Sequence, residues 1–226
     1  MHNLQEFMLT TKSVEYLIAI VFMFAFLTFW RVLNGSRRIP VAEAISESVR
    51  ALGGIFVHPS HTWAGVVRPD LVNVGMDRFA SSVFGSIQEM KLPARGDRIY
   101  QGDIVWKMKR GERELAQVSP ISGRVVEVNS RIVDNPELLN RQAPEESWIL
   151  RIAPIRLARE TRNLLSGEML ARWNQAVKEQ LVSTLVPNPY PVLQEGGEIK
   201  PDLGDDLTPQ QWEKVRRDFF NSPLAA

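Results

Sequence analysis

Few side chains in this chain are of types that ligate metals, attack carbonyls or move protons. His58-Pro59-Ser60-His61 supplies two imidazoles at a spacing that could serve a metal. Pro59 forbids a helix through the four residues, so the rings share no helix face. No third histidine or suitably spaced acid stands beside them, and a zinc site needs more ligands than two. The spacing favours a structural His61 next to Trp63, with axial ligation of a haem only a weak alternative. His2 lies far off, at the amino terminus. Asp205-Asp206 and the pair Glu112/Glu114 are adjacent carboxylates, but their neighbours are charged and polar, as around solvated acids. No G-x-S-x-G, P-loop or dinucleotide fingerprint occurs. There are no cysteines, which excludes a thiolate nucleophile, a disulfide framework, a cluster on the chain's own thiolates and covalent c-type haem. These absences point away from an enzyme, and no metal, cofactor or small-molecule substrate is expected.

The charge balance narrows the partners. The chain has 226 residues, with 27 Lys plus Arg against 26 Asp plus Glu, a formal net charge of +1. That balance argues against nucleic acid as a partner. Hydrophobic residues make up 44%, which argues against a disordered polyelectrolyte.

The apolar residues are unevenly spread. Tyr16 to Trp30 reads YLIAIVFMFAFLTFW and carries no charge. Nine of these residues are Leu, Ile, Val or Phe, which together favour bilayer insertion by about 3–5 kcal/mol. A helix over the run is about 23 Å long, and Val32 and Leu33 extend it. Phe22, Phe24, Phe26 and Phe29 fill it, Tyr16 and Trp30 mark its ends, and Arg31 can snorkel. Basic residues follow the run (Arg31, Arg37, Arg38), whereas Lys12 alone precedes it, which places the amino terminus outside and the rest in the cytoplasm. The expectation is a single-pass helix over 16–33 in the inner membrane, with the lipid bilayer as one partner.

The remainder changes pattern several times. Residues 34–57 read as a linker with a short helix. From 58 to 155, short runs of β-branched and aromatic residues alternate with Gly turns such as Arg95-Gly96-Asp97, Gln101-Gly102-Asp103 and Arg110-Gly111-Glu112. Met76 to Ser86 interrupts them as a short helix. Residues 156–186 form a helical extension, in which Leu170, Trp173, Val177 and Leu181 recur at helical spacing. A Pro-rich arm and terminal helix complete 187–226, following the flank 1–15 and the span 16–33. The fold class expected is mainly β: a β sandwich with short helices, after one transmembrane helix and before a helical carboxy-terminal extension.

Six blocks in the β region carry a family resemblance. They are His61-Thr62-Trp63, Val74-Gly75-Met76-Asp77-Arg78-Phe79-Ala80, Leu92-Pro93-Ala94-Arg95-Gly96-Asp97, Pro120-Ile121-Ser122-Gly123-Arg124-Val125-Val126-Glu127-Val128-Asn129, Asp134-Asn135-Pro136-Glu137-Leu138-Leu139-Asn140, and Glu146-Ser147-Trp148-Ile149 onward to Pro154. In this order they resemble the glycine cleavage system H protein over about 58–178. The resemblance implies a biotinyl/lipoyl-type flattened β sandwich. It also implies one lysine at a hairpin tip, acylated by lipoate, eight residues before the proline of the P-V-S-G block. Counting back from Pro120 lands on Glu112, and a carboxylate forms no amide with lipoate. Lys107 and Lys109 are the nearest amines. Lys109 is three positions off that register, and strand side chains change face at every step.

Aromatic and basic residues suggest attachment to something else. Trp106, in the strand before the altered hairpin, is either core or an anchor for a partner, with Arg110 and Arg113 beside it. Tyr190 lies in the Pro-rich arm. Thr208-Pro209-Gln210-Gln211 has capping-box chemistry and opens a helix bearing Trp212, Phe219 and Phe220. The resulting expectation is a non-catalytic, membrane-anchored docking subunit of a membrane complex, respiratory or otherwise electron-transferring, with other subunits as partners. The alternative is a membrane-tethered lipoyl-type carrier modified on Lys107 or Lys109.

Overall fold

Along residues 54–141, runs with two-residue periodicity become strands and their polar seams become turns, as strand pleating requires. The computed structural model describes residues 16, 18–30, 54–141, 146–185, 192–193 and 197–220. The chain divides into two units, 1–41 and 42–226.

In the first unit, Tyr16 and residues 18–30 are helical and belong to helix α1. Among the described residues, no helix is long and apolar enough to cross a membrane. This corrects the expected transmembrane helix, and with it the inner-membrane placement and the bilayer as a partner. Tyr16, Phe22, Phe24, Phe26, Phe29 and Trp30 are exposed, and Phe26 stacks on Trp30 at 5.9 Å. Arg31 and the expected helix within 34–57 lie outside the described residues as far as Gly53; Ile55–His58 is a strand instead.

Among the described residues, the second unit has nine antiparallel strands in two sheets. The strands are β1 Ile55–His58, β2 Thr62–Arg68, β3 Leu71–Met76, β4 Glu89–Lys91, β5 Arg98–Ile99, β6 Ile104–Arg110, β7 Arg113–Val118, β8 Gly123–Val128 and β9 Leu150–Pro154. Six of them pair in the order β1-β2-β3-β9-β8-β5, and three in the order β4-β6-β7. Helix α2 (Arg78–Phe84) follows β3, with Asp77 capping it through Ala80 N at 2.8 Å. Short helices α3 (Ser130–Asp134) and α4 (Leu138–Arg141) link β8 to β9. After β9 come α5 (Leu157–Glu160), α6 (Gly167–Leu185), a 3-10 turn (Leu203–Asp206) and α7 (Pro209–Phe219).

The motif residues earn their places by packing. Trp63 is buried in β2, opposite Gly75 of β3, and its Nε1 donates to the Met76 carbonyl at 3.0 Å. A Cβ at residue 75 would lie 2.6 Å from the indole, so the glycine makes room for the ring. Gly123 lies as closely on β9, where a Cβ would sit 2.4 Å from the Ala153 carbonyl oxygen. Neither neighbour yields cheaply, because one is a locked ring and the other is backbone. Replacing Gly123 with Ala should therefore destabilise the fold by about 1–3 kcal/mol, the usual range for overpacking. A thermal melt showing an unchanged midpoint would refute this.

His58, at the end of β1, sets a pH dependence. Its Nδ1 accepts from Ser60 N at 3.1 Å and meets Ser60 Oγ at 2.8 Å. Burial holds this imidazole below its ordinary 6.5. The unfolded chain thus takes up a proton that the folded chain resists. Stability contributed by the neutral ring is present above about pH 6.5 and is lost as pH falls toward the lowered folded value. Melting midpoints for wild type and His58→Asn should converge at about pH 5 relative to their gap at about pH 7.

Candidate functional site: the β6–β7 hairpin

Gly111 and Glu112 are the two residues between β6 and β7, with Arg110 paired to Arg113 across the turn. Gly111 has φ 54, the left-handed conformation that the first central position of a two-residue hairpin turn takes. Glu112 is therefore at the apex of the hairpin and exposed. The residue there is a carboxylate, and it does not fit an amide-linked lipoyl group.

The pleat sorts the remaining side chains. Lys107 and Lys109 lie on the outer face, with side-chain exposures of 39% and 43%. Glu114 stands 3.8 Å from the Lys107 Nζ and 3.9 Å from the Lys109 Nζ. Strand β4 extends this face, placing Glu89 opposite Lys109 and Lys91 opposite Lys107. The sequence reading missed β4 because Glu-Met-Lys carries no β-branched or aromatic signal, though its charged-apolar-charged alternation fits a half-buried edge.

Trp106, Met108 and Arg110 occupy the inner face. Trp106 is 1% exposed and donates from Nε1 to Gln117 Oε1 at 2.7 Å. It is core, which corrects its candidacy as a partner anchor. Arg110 pairs with Asp205. Arg113 donates to the Gly204 carbonyl at 2.6 Å and to that of Leu207, and its guanidinium lies over the Trp212 ring at 5.5 Å. Burial lowers the Arg113 pKa, Arg110 adds to that effect, and Asp205 opposes it. Trp212, Phe219 and Phe220 are all buried in the chain's own core. These basic and aromatic residues meet one another within the chain, so they do not form the outward docking surface expected of them. Tyr190 lies outside the described residues. An open groove of about 750 Å³ remains between the apex and α7, lined by Glu112, Arg113, Glu114, Glu213 and Arg216.

A second feature went unread in the sequence. Glu160 is buried, and its carboxylate accepts from Ser122 N at 2.7 Å and Ser122 Oγ at 2.6 Å. Its backbone carbonyl accepts from Gln101 Nε2 at 3.2 Å. It pins the Pro120–Gly123 loop that leads out of the hairpin. A lone glutamate in a charged helix gives no sequence signal of such a role.

The two histidines do not converge. His61 Nδ1 pairs with Asp77 Oδ2 at 2.8 Å, and its ring stacks on Phe79 at 4.2 Å and tilts against Trp173 at 4.8 Å. His58 is engaged by Ser60. Among the described residues, no group of three potential metal ligands occurs. Asp205 and Asp206 also part ways, since Asp206 pairs with Lys200.

The chain resembles the "Probable glycine cleavage system H protein" of Thermococcus gammatolerans, with 31% identity over 124 residues, 55% of this chain and 92% of that one. It is 35% identical over 111 residues to the glycine cleavage system H protein of Geobacillus thermodenitrificans, covering 49% of this chain and 86% of that one. The crystal structure of an H protein from Mycobacterium marinum aligns at a TM-score of 0.47 and 23% identity, over 54% of this chain and 98% of that one. Residues 1–37 match a second family, whose description names no function. The glycine cleavage H-protein family model matches residues 56–178, more than half of the chain, and the chain belongs to that family.

Proposed function

We propose that the chain is an H-protein-type carrier domain whose acylatable amine has moved off the hairpin apex into β6, at Lys109 or its outer-face neighbour Lys107. The carrying observation is the pair of half-exposed lysines on the outer sheet face, two and four residues before Gly111, with Glu114 within 4 Å of both. The apex itself offers only the Glu112 carboxylate. The chain is not an enzyme, because its family consists of non-catalytic carrier proteins. On this reading the partners are proteins that act on an H protein, in place of the membrane-complex subunits expected from the sequence. The membrane tether attached to the sequence-based alternative is dropped, since no described helix supports it.

Glu112 favours a second reading, an accessory domain that keeps the carrier fold without an arm. Intact-mass measurement of the chain co-produced with a lipoate–protein ligase decides between them. The carrier reading expects one added lipoyl mass, lost in Lys109→Arg or in Lys107→Arg. An unmodified wild-type chain alongside a modified Glu112→Lys variant would establish the accessory reading and overturn the carrier.

A further inference from the structure

The segment from Ile199 to Phe220 lies outside the family match, yet it makes several long-range polar contacts onto the hairpin. Asp205 accepts from Ser86 N at 3.0 Å, from Ser86 Oγ at 2.8 Å and from Arg110. Arg113 reaches past it to two backbone carbonyls of the same segment. Gly204 lies backbone against backbone on the end of α2, where a Cβ would meet the Val83 carbonyl oxygen at 2.3 Å. Trp212 sits edge-on to Phe84 at 5.5 Å, and Phe219 and Phe220 close on Phe79 at 5.1 and 6.0 Å. Lys214 Nζ donates to the Thr184 carbonyl at 2.8 Å, tying α7 to the end of α6.

We infer that this segment is an intramolecular strap that locks the hairpin to α2 and covers most of its inner face, leaving the Lys107/Lys109 side as the more open approach. The chemistry supports a latch rather than simple packing. One carboxylate gathers donors from two elements far apart in sequence, Ser86 and Arg110. The two arginines, neighbours across the turn, would repel each other without it. Their forks project to the face opposite the lysines, so the strap covers one side of the sheet and leaves the other open. The inference bears on how the hairpin proposed above as a carrier site is approached, but it stands on contacts that exist whether or not a lysine is acylated.

The absence of cysteines makes the test direct, since each introduced thiol is the sole one. Val215 faces inward from α7 and Val74 lies within the six-stranded sheet, both at 0% exposure. Alkylation rates of Val215→Cys, Val74→Cys and Lys109→Cys are measured in the full chain, alone and combined with Asp205→Ala or the milder Arg110→Gln. Losing charge-assisted hydrogen bonds should speed Val215→Cys alkylation at least about tenfold with Asp205→Ala, and less with Arg110→Gln. Val74→Cys should stay protected, and Lys109→Cys should react at one rate throughout. Unchanged protection of Val215→Cys in both backgrounds overturns the strap. So does equal acceleration of Val74→Cys, which would make the segment part of one global unfolding unit. Slow alkylation of Lys109→Cys that speeds up only when Asp205 is removed would show the outer face to be closed as well. None of these readouts depends on lipoylation, so failure of the strap and failure of the carrier reading are separable.

Discussion

The pleat of the β6–β7 hairpin governs the functional half of this protein. A two-residue turn at Gly111-Glu112 fixes the register. From that point successive side chains alternate sides, which separates lysines from arginines that are close in sequence. Lys107 and Lys109 go to the open face with Glu114, while Arg110 and Arg113 go to the covered face with Asp205 and Trp212. A slip of one residue would bury the ammonium groups and expose the guanidinium groups. The bulge between Ile104 and Trp106 lies at the far end of the ladder, away from this division.

Below the hairpin, the fold supplies stiffness. Trp63 on Gly75 and Gly123 on Ala153 are close approaches between neighbouring strands of the large sheet. Glu160 does something different, because it brings a buried carboxylate to a loop whose backbone N–H and hydroxyl both need an acceptor. A buried polar side chain is tolerable when hydrogen bonds satisfy it, and two of them come from one serine. The P-I-S-G turn is thereby held between the end of the hairpin and the helix that follows β9.

Much of the β architecture could be read from the sequence, because β-branched alternation and Gly turns report directly on pleat and reversal. The turn could be read too, since Arg110-Gly111-Glu112 reads as a reversal and Gly111-Glu112 joins β6 to β7. Strand β1 falls at the end of a stretch, 34–57, that reads as a linker with a short helix, and β4 is hidden by its charges. The surroundings of the site were harder. The capping box at Thr208 announced helix α7, and the structure shows both of its hydrogen-bonded halves. An amphipathic stripe states that something covers it without stating what, and Trp212, Phe219 and Phe220 were assigned to a foreign surface when their own chain provides one. The same limit applies to the apolar run at the amino terminus. Composition alone suggests a span there, whereas among the described residues no helix is long and apolar enough to cross a membrane.

The distance in sequence between the hairpin and its cover has a consequence for biosynthesis. Arg110 and Asp205 are separated by 95 residues, and Ser86 and Asp205 by 119. At translation rates of about 5–20 residues per second, the hairpin leaves the ribosome roughly 5–20 s before the segment that covers it. During that interval the nascent chain presents both faces of the hairpin, including the guanidinium groups later sequestered, to whatever chaperone or modifying enzyme is nearby.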